Sequence, residues 1–168
     1  RCLHGEAGLA AELRAHIRAE LEATPAFLGH LAQDVIQYRT AVGFFGNLVT
    51  HAHRTLDLKE TLAPIVHIGR LYALRHGFPE TSTPGRYRRM NETGLLSDAV
   101  YEELTQGYDL VMAMRLRHQA DLRTSNLPGD NLVELKSLTH LEENLLKQVS
   151  AQVSLLQKKV GFDFLGTG

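Results

Sequence analysis

The sequence predicts a mainly α-helical domain: a bundle of about six helices with one β-hairpin, over residues about 42–58, packed beside a central helix over about 61–76. Three observations predict it. Apolar residues recur at helical spacing in most of the chain, which is the signature of amphipathic helices. The stretch from Leu62 to Leu74 is instead apolar nearly all the way round a helical wheel, as expected of a helix surrounded by other elements. Only residues 42–58 switch to β-branched and aromatic composition, and no repeated strand–helix–strand pattern follows, so a bundle with a ribbon at its side is the architecture to expect. A chain of 168 residues without repeats or low-complexity tracts reads as a single domain, 1–168.

The elements follow in order. Leu9, Leu13, Ile17 and Leu21 stand at steps of four among charged residues, so residues 6–22 form an amphipathic helix. Thr24-Pro25 reads as an N-cap followed by proline in the first helical position, opening a second helix to about Arg39 with Phe27, Leu28, Leu31, Val35 and Tyr38 apolar. Val42, Phe44, Phe45, Leu48 and Val49 suggest one strand of the hairpin and Thr55–Leu58 the other, with a turn in 51–54. In the second strand Leu56 and Leu58 alternate with Thr55, Asp57 and Lys59, which leaves Lys59 at the strand–helix junction. Pro64 fits the first turn of the central helix and Gly77 its left-handed stop.

Residues 78–83 read as a loop. Thr83-Pro84 then opens a short basic helix ending at Gly94, and Ser97 caps a long helix from Asp98 to about Arg123. Its stripe is Val100, Leu104, Tyr108, Val111, Met114 or Arg115, His118 and Leu122. Residues 126–131 are turn-rich. Thr139 and Glu142 form a capping-box pattern for a last helix to about Val160, with Leu141, Leu145, Val149, Val153, Leu156 and Val160 facing inward.

The composition excludes several classes. A net charge of −1 argues against nucleic acid or an anionic membrane as a general partner. No apolar run reaches the roughly 20 residues of a membrane span. The single cysteine, Cys2, excludes an internal disulfide framework and points to a reducing, cytoplasmic compartment. No signal peptide is visible and the chain lacks an initiator Met, so it is expected to be a piece of a longer polypeptide.

Catalytic motifs are absent: there is no Asp-x-Asp pair, H-E-x-x-H, G-x-S-x-G or glycine-rich phosphate loop. Four features remain. Lys59, beside Asp57, fits either a phosphate contact or a solvated strand end. Arg115-Leu-Arg-His-Gln119 places His118 on the apolar stripe with Arg115 beside it, so these polar groups need partners, either internal or from a ligand. Arg117 lies roughly 200° round the helix from Arg115, so the two face different ways. His67 and Arg70 share one polar edge of the central helix, where pairing with an Asp or Glu of a neighbouring helix is the simpler reading. His51 and His53 share a strand face as a metal pair would, but no further ligands are indicated nearby. No metal site is assigned.

Several ordered blocks carry a family resemblance: Thr55-Leu-Asp-Leu-Lys59, Pro64-Ile-Val-His-Ile-Gly-Arg-Leu-Tyr72, Gly94-Leu-Leu-Ser97, Arg115-Leu-Arg-His-Gln119 and Lys136-Ser-Leu-Thr-His-Leu141. In that order and spacing the chain resembles the putative nucleotidyltransferase substrate-binding domain. This domain follows a nucleotidyltransferase core in bacterial signalling proteins that also carry CBS-pair or cyclic-nucleotide-binding domains. Arg1-Cys-Leu-His-Gly5 is similar to the segment leaving that core, which makes residues 1–40 helices leading out of it, and Gly43-Phe-Phe-Gly46 resembles the hairpin entry. A more distant likeness, through Asp57-Leu-Lys59, is to the helical domains of glutamine-synthetase adenylyltransferases and nitrogen-signalling uridylyltransferases. Glu60-Thr61-Leu62 departs from their glycine-rich continuation.

The resemblance implies a helper role in transfer of a nucleoside monophosphate to a protein or small molecule. Catalytic carboxylates would lie upstream of Arg1, so no residue here is catalytic. No cofactor is bound by this domain alone; Mg and a nucleoside triphosphate are implied for the whole protein. The partners are the N-terminal nucleotidyltransferase domain of the same chain, the nucleotide and an unidentified acceptor. The residues implied in nucleotide or substrate binding are Lys59, Asp57, Arg70, Arg115, Arg117, His118, Asn131 and Lys136, with Asp57 orienting Lys59. The alternative is a non-enzymatic regulatory or protein-interaction module. A stand-alone metal-binding bundle would be the third reading.

Overall fold

The computed structural model describes residues 7–39 and 54–166. In chain order these form α1 (Ala7–Ala23), α2 (Ala26–Gln37), β1 (Thr55–Asp57), α3 (Leu58–His76), α4 (Thr83–Glu92), α5 (Asp98–Thr124), β2 (Leu132–Glu134), a 3-10 turn (Leu135–Ser137), α6 (His140–Val160) and a closing π-helical turn (Gly161–Leu165). The mainly α class with six helices and a two-stranded antiparallel ribbon is as the sequence predicts.

The ribbon is built differently. β1 pairs with β2, far along the chain, with Thr55 opposite Glu134, Leu56 opposite Val133 and Asp57 opposite Leu132. Most of the expected hairpin, residues 42–53, lies outside the described residues, as do His51, His53 and the Gly43–Gly46 stretch. Within the ribbon Leu56 and Val133 point inward while their neighbours point out, as strand alternation requires.

α3 is the axis. It starts at Leu58, three residues before the predicted start, because Asp57 is its N-cap: the carboxylate accepts the backbone N–H groups of Lys59 and Glu60 at 2.8 and 3.1 Å. Pro64 therefore falls in the second turn rather than the first. Gly77 ends the helix with φ of +66°, as expected. Ile65, Ile68, Leu71 and Tyr72 are buried against Ala32 and Val35 of α2, Tyr87 and Met90 of α4, Leu104 of α5 and Val149, Val153, Leu156 and Val160 of α6. A second apolar cluster, Leu56, Leu58, Leu62, Val111, Met114, Val133 and Leu146, lies under the strand pair and gives it a firm base.

Several helix details differ from expectation. Ser82, not Thr83, caps α4, its hydroxyl accepting the Gly85 N–H at 3.2 Å. Thr24 offers no side-chain cap to α2, whose first turn is set by Pro25 in helical conformation. Ser97 caps α5, and Thr139 with Glu142 forms the predicted capping box. On α6 the inward stripe begins at Glu142 and Leu146; Leu141 is 69% exposed and Leu145 only half-buried. α1 is the expected amphipathic helix, but Leu9 and Leu13, each 59% exposed, do not pack into the bundle.

The chain end is pinned to the axis. Tyr72 donates to the Asp163 carboxylate at 2.6 Å, Lys159 pairs with the same oxygen at 2.9 Å, and Arg75 donates to the Asp163 carbonyl at 2.6 Å. Burial pushes the Asp163 carboxyl up, but the Tyr72 and Lys159 bonds outweigh it and hold it below its ordinary value. Gln157 satisfies the end of α2 by donating to the Val35 and Tyr38 carbonyls.

Candidate functional site

The strand pair, the start of α3, the C-terminal half of α5 and the start of α6 meet on one polar ridge. Asn131 joins three of them. Its carbonyl accepts the Leu58 N–H at 2.9 Å, and its side-chain oxygen accepts Arg115 Nε at 2.8 Å and Gln119 Nε2 at 3.4 Å. Beside it the Asp130 carboxylate accepts the Leu132 N–H at 3.0 Å and is hydrogen-bonded to His118 Nε2 at 2.6 Å. Those two bonds hold the Asp130 carboxyl below its ordinary range. One helical turn of α5 thus grips the loop entering β2.

Arg117 leaves the helix in another direction, as the 200° offset predicts. Its Nη2 donates to Glu142 Oε1 at 2.8 Å, with the arginine side chain 61% exposed and the glutamate 11%. Glu142 Oε2 in turn accepts the Thr139 backbone N–H at 2.8 Å and its hydroxyl at 3.0 Å. The Thr139 bond and the Arg117 bond together hold the Glu142 carboxyl low. Arg117, His118, Asp121, Ser137, Thr139 and Glu142 rim a hollow of about 220 Å³ floored by Met114 and Val133.

Six of the eight sequence-predicted residues therefore meet here: Asp57, Lys59, Arg115, Arg117, His118 and Asn131. Their geometry shows what each side chain is engaged in. Asp57 binds the Lys59 backbone, not its ammonium, so it fixes the helix turn that carries Lys59 instead of orienting the charge. Lys59 stands exposed in the first turn of a helix, and its ammonium makes no hydrogen bond or ion pair among the described residues. His118 is not in the core; it lies at the surface edge, 20% exposed, against Asp130.

The other two are not tied into this network. Lys136, in the 3-10 turn, pairs with Glu134 at 2.7 Å, which pushes its pKa up. Arg70 is eleven residues beyond Lys59 on α3, about 16 Å along the axis. Its neighbour His67 finds Tyr38, not an acidic residue: the rings stack at 5.0 Å and the Tyr38 hydroxyl is 3.2 Å from Nε2. Burial and the Arg70 charge hold His67 below its ordinary value, with Asp34 opposing them. Protonating it therefore opposes folding, and that penalty sets in as pH falls below 6.5.

Sequence reasoning missed Asp130, Gln119 and Glu142 as members of the ridge. Glu142 was visible only as a cap, and Asp130 only as a turn former, because their partners are distant in the chain. Among the described residues no three His, Cys, Asp or Glu side chains converge as a metal site requires. Nor is any helix there long and apolar enough to cross a membrane.

Glu142→Gln tests the brace. The amide cannot reproduce the charged bonds to Arg117 and Thr139, so the variant should lose about 1–3 kcal/mol at neutral pH. A carboxyl whose folded value lies below its ordinary 4.5 contributes stability above that pH and loses it as pH falls through the folded value. The gap between wild type and variant in urea unfolding should therefore shrink in acid. A gap independent of pH would contradict the brace.

The family described as "Putative nucleotidyltransferase substrate binding domain" matches residues 25–164, which spans α2 to the closing turn and includes the whole ridge. No curated protein and no solved structure matches the chain.

Proposed function

The chain belongs to the family of putative nucleotidyltransferase substrate binding domains, and from that membership we propose that it positions a nucleotide or its acceptor while a separate catalytic domain transfers a nucleoside monophosphate. The observation that carries this reading is the division of roles on the ridge. Asp57, Asp130, Asn131 and Glu142 hold backbone and side chains in place, while Lys59 and Arg117 are presented outward. An ammonium on a capped helix turn and a guanidinium braced by one carboxylate are donors arranged before the ligand arrives. Both suit phosphate oxygens, the first as a point charge and the second as a planar fork. Holding two reactants in register is a large part of catalysis in phosphoryl-type transfer.

Magnesium and the triphosphate belong to the whole enzyme in this reading. The ridge carboxylates do not fit as magnesium ligands, because Asp57, Asp130 and Glu142 already accept hydrogen bonds that hold the fold. The metal-binding carboxylates are assigned to the partner nucleotidyltransferase domain, proposed to precede this one in the same polypeptide. The resemblance supports a bacterial, cytoplasmic signalling protein with CBS-pair or cyclic-nucleotide-binding domains as the setting.

A second reading, a non-enzymatic regulatory or interaction module, draws support from one observation. Arg115, His118 and Asn131 are all engaged in holding the β2 loop, which is a scaffold role. The coding sequence upstream of Arg1 separates the two. A Gly-Ser followed by Asp-x-Asp, together with transfer of labelled nucleotide by the intact gene product, supports the first. A core without those carboxylates, in a product that transfers nothing, discards it in favour of the second.

A further inference from the structure

At the far end of α3 from the ridge, about 27 Å along the helix, α1 and the C-terminal turn of α3 border an open groove of about 500 Å³. That volume is in the range of small-ligand sites. Ile17, Leu21, Leu28 and Phe78 line it. Its rim is cationic, with Arg14, Arg18 and Arg75 facing a single carboxylate, Glu22.

The arginines differ in what they are free to do. Arg75 is engaged with the Asp163 carbonyl and lies over the Phe164 ring at 4.6 Å. Arg18 pairs with Glu22 at 3.4 Å, where both side chains are 72% exposed, so the pair is weak and open to exchange. Arg14 has no hydrogen bond or ion pair among the described residues. Two guanidiniums are thus available to an anion beside an apolar trough.

The lining also says what kind of anion. Among the described residues, apart from the arginines and Glu22, the lining holds no Asn, Gln, Ser, Thr or Tyr side chain, so none of them is placed to read the edges of a base or sugar. Its walls are mostly aliphatic. We propose that this groove binds a fatty acid, with the alkyl chain along Ile17, Leu21 and Leu28 and the carboxylate held by Arg14 and Arg18. The family match begins at residue 25, so α1, which carries Arg14 and Arg18, lies outside the matched residues, while Leu28 and Phe78 lie within them.

The test is calorimetric titration of the chain with dodecanoate below its micelle concentration, against dodecanol and AMP. A single saturable site is expected for dodecanoate, with dodecanol about tenfold weaker because it lacks the charge-assisted bonds. Arg14→Glu should weaken dodecanoate by at least about tenfold while melting is unchanged, since Arg14 is exposed and makes no hydrogen bond or ion pair among the described residues. Leu21→Glu should abolish binding, and because Leu21 is only half-buried its fold is checked by circular dichroism. No saturation, equal binding of dodecanol or AMP, or an Arg14→Glu variant that binds like wild type would each overturn the proposal. So would a self-associating chain that takes up no dodecanoate, which would make the groove an interface between copies.

Discussion

Tyr87→Ala is expected to lose about 3–5 kcal/mol of folding stability, the range for removing a large buried ring. Against a typical total of about 5–15 kcal/mol, that would leave the domain marginal at best. The ring is 1% exposed and lies in the main core between α4 and the axis helix α3. It packs so closely on Gly69 that a Cβ there would stand 3.3 Å from Tyr87 Cε2. Its hydroxyl donates to the Ile65 carbonyl at 2.8 Å, and burial pushes its pKa well above the ordinary 10. Tyr87→Phe separates the two contributions. It keeps the ring and loses one buried hydrogen bond, so about 1 kcal/mol is expected. Denaturant unfolding of both variants checks this, and an alanine variant as stable as the phenylalanine one would refute the packing argument.

Gly107→Ala should destabilise by about 1–3 kcal/mol through overpacking, although alanine is the better helix former by about 1 kcal/mol. Gly107 sits in the N-terminal half of α5, where α5 and α6 approach closely. A Cβ added there would lie 2.6 Å from Val149 Cβ, inside the van der Waals envelope of a side chain that is 2% exposed. The first atom such a Cβ would meet is Val149 Cγ2, which Val149→Ala removes while keeping the Val149 Cβ, so Gly107→Ala combined with Val149→Ala should recover part of the loss, and the two changes should be clearly non-additive. A stabilised single variant would mean that propensity wins over packing at this crossing.

The helices were legible because their signals are local. Period, caps and stops at Ser97, Thr139 with Glu142, and Gly77 all lie within a turn of the boundaries they set. The ribbon was not, because β1 and β2 are three residues each and their pairing joins distant parts of the chain. A strand that short carries no partner information. The early start of α3 was within reach: Asp57 followed by Glu60 three residues later is a capping pattern, hidden by the strand-like alternation of Leu56 and Leu58. Gly107 gave no signal at all, since only the facing helix explains it.

The ridge was partly legible. Motif resemblance singled out Lys59, Arg115, Arg117, His118 and Asn131, yet could not say which residues hold and which present. That distinction depends on Asp130 and Glu142, whose contacts cross from α5 to the β2 loop and to α6. α1 is the opposite case. Its stripe at steps of four is a sound helix signal, but periodicity does not report whether the apolar face is covered, and Leu9 and Leu13 remain open.

The central claim, that this domain presents phosphate-binding cations to a nucleotidyl transfer, is tested most directly by Lys59→Ala in the product of the intact gene. Lys59 is exposed and its ammonium makes no hydrogen bond or ion pair among the described residues, so the melting curve should not move. Transfer of labelled nucleotide, as kcat/KM, should fall by at least about tenfold, the loss of one charge-assisted phosphate contact. An unchanged kcat/KM in a fully folded variant would contradict the account.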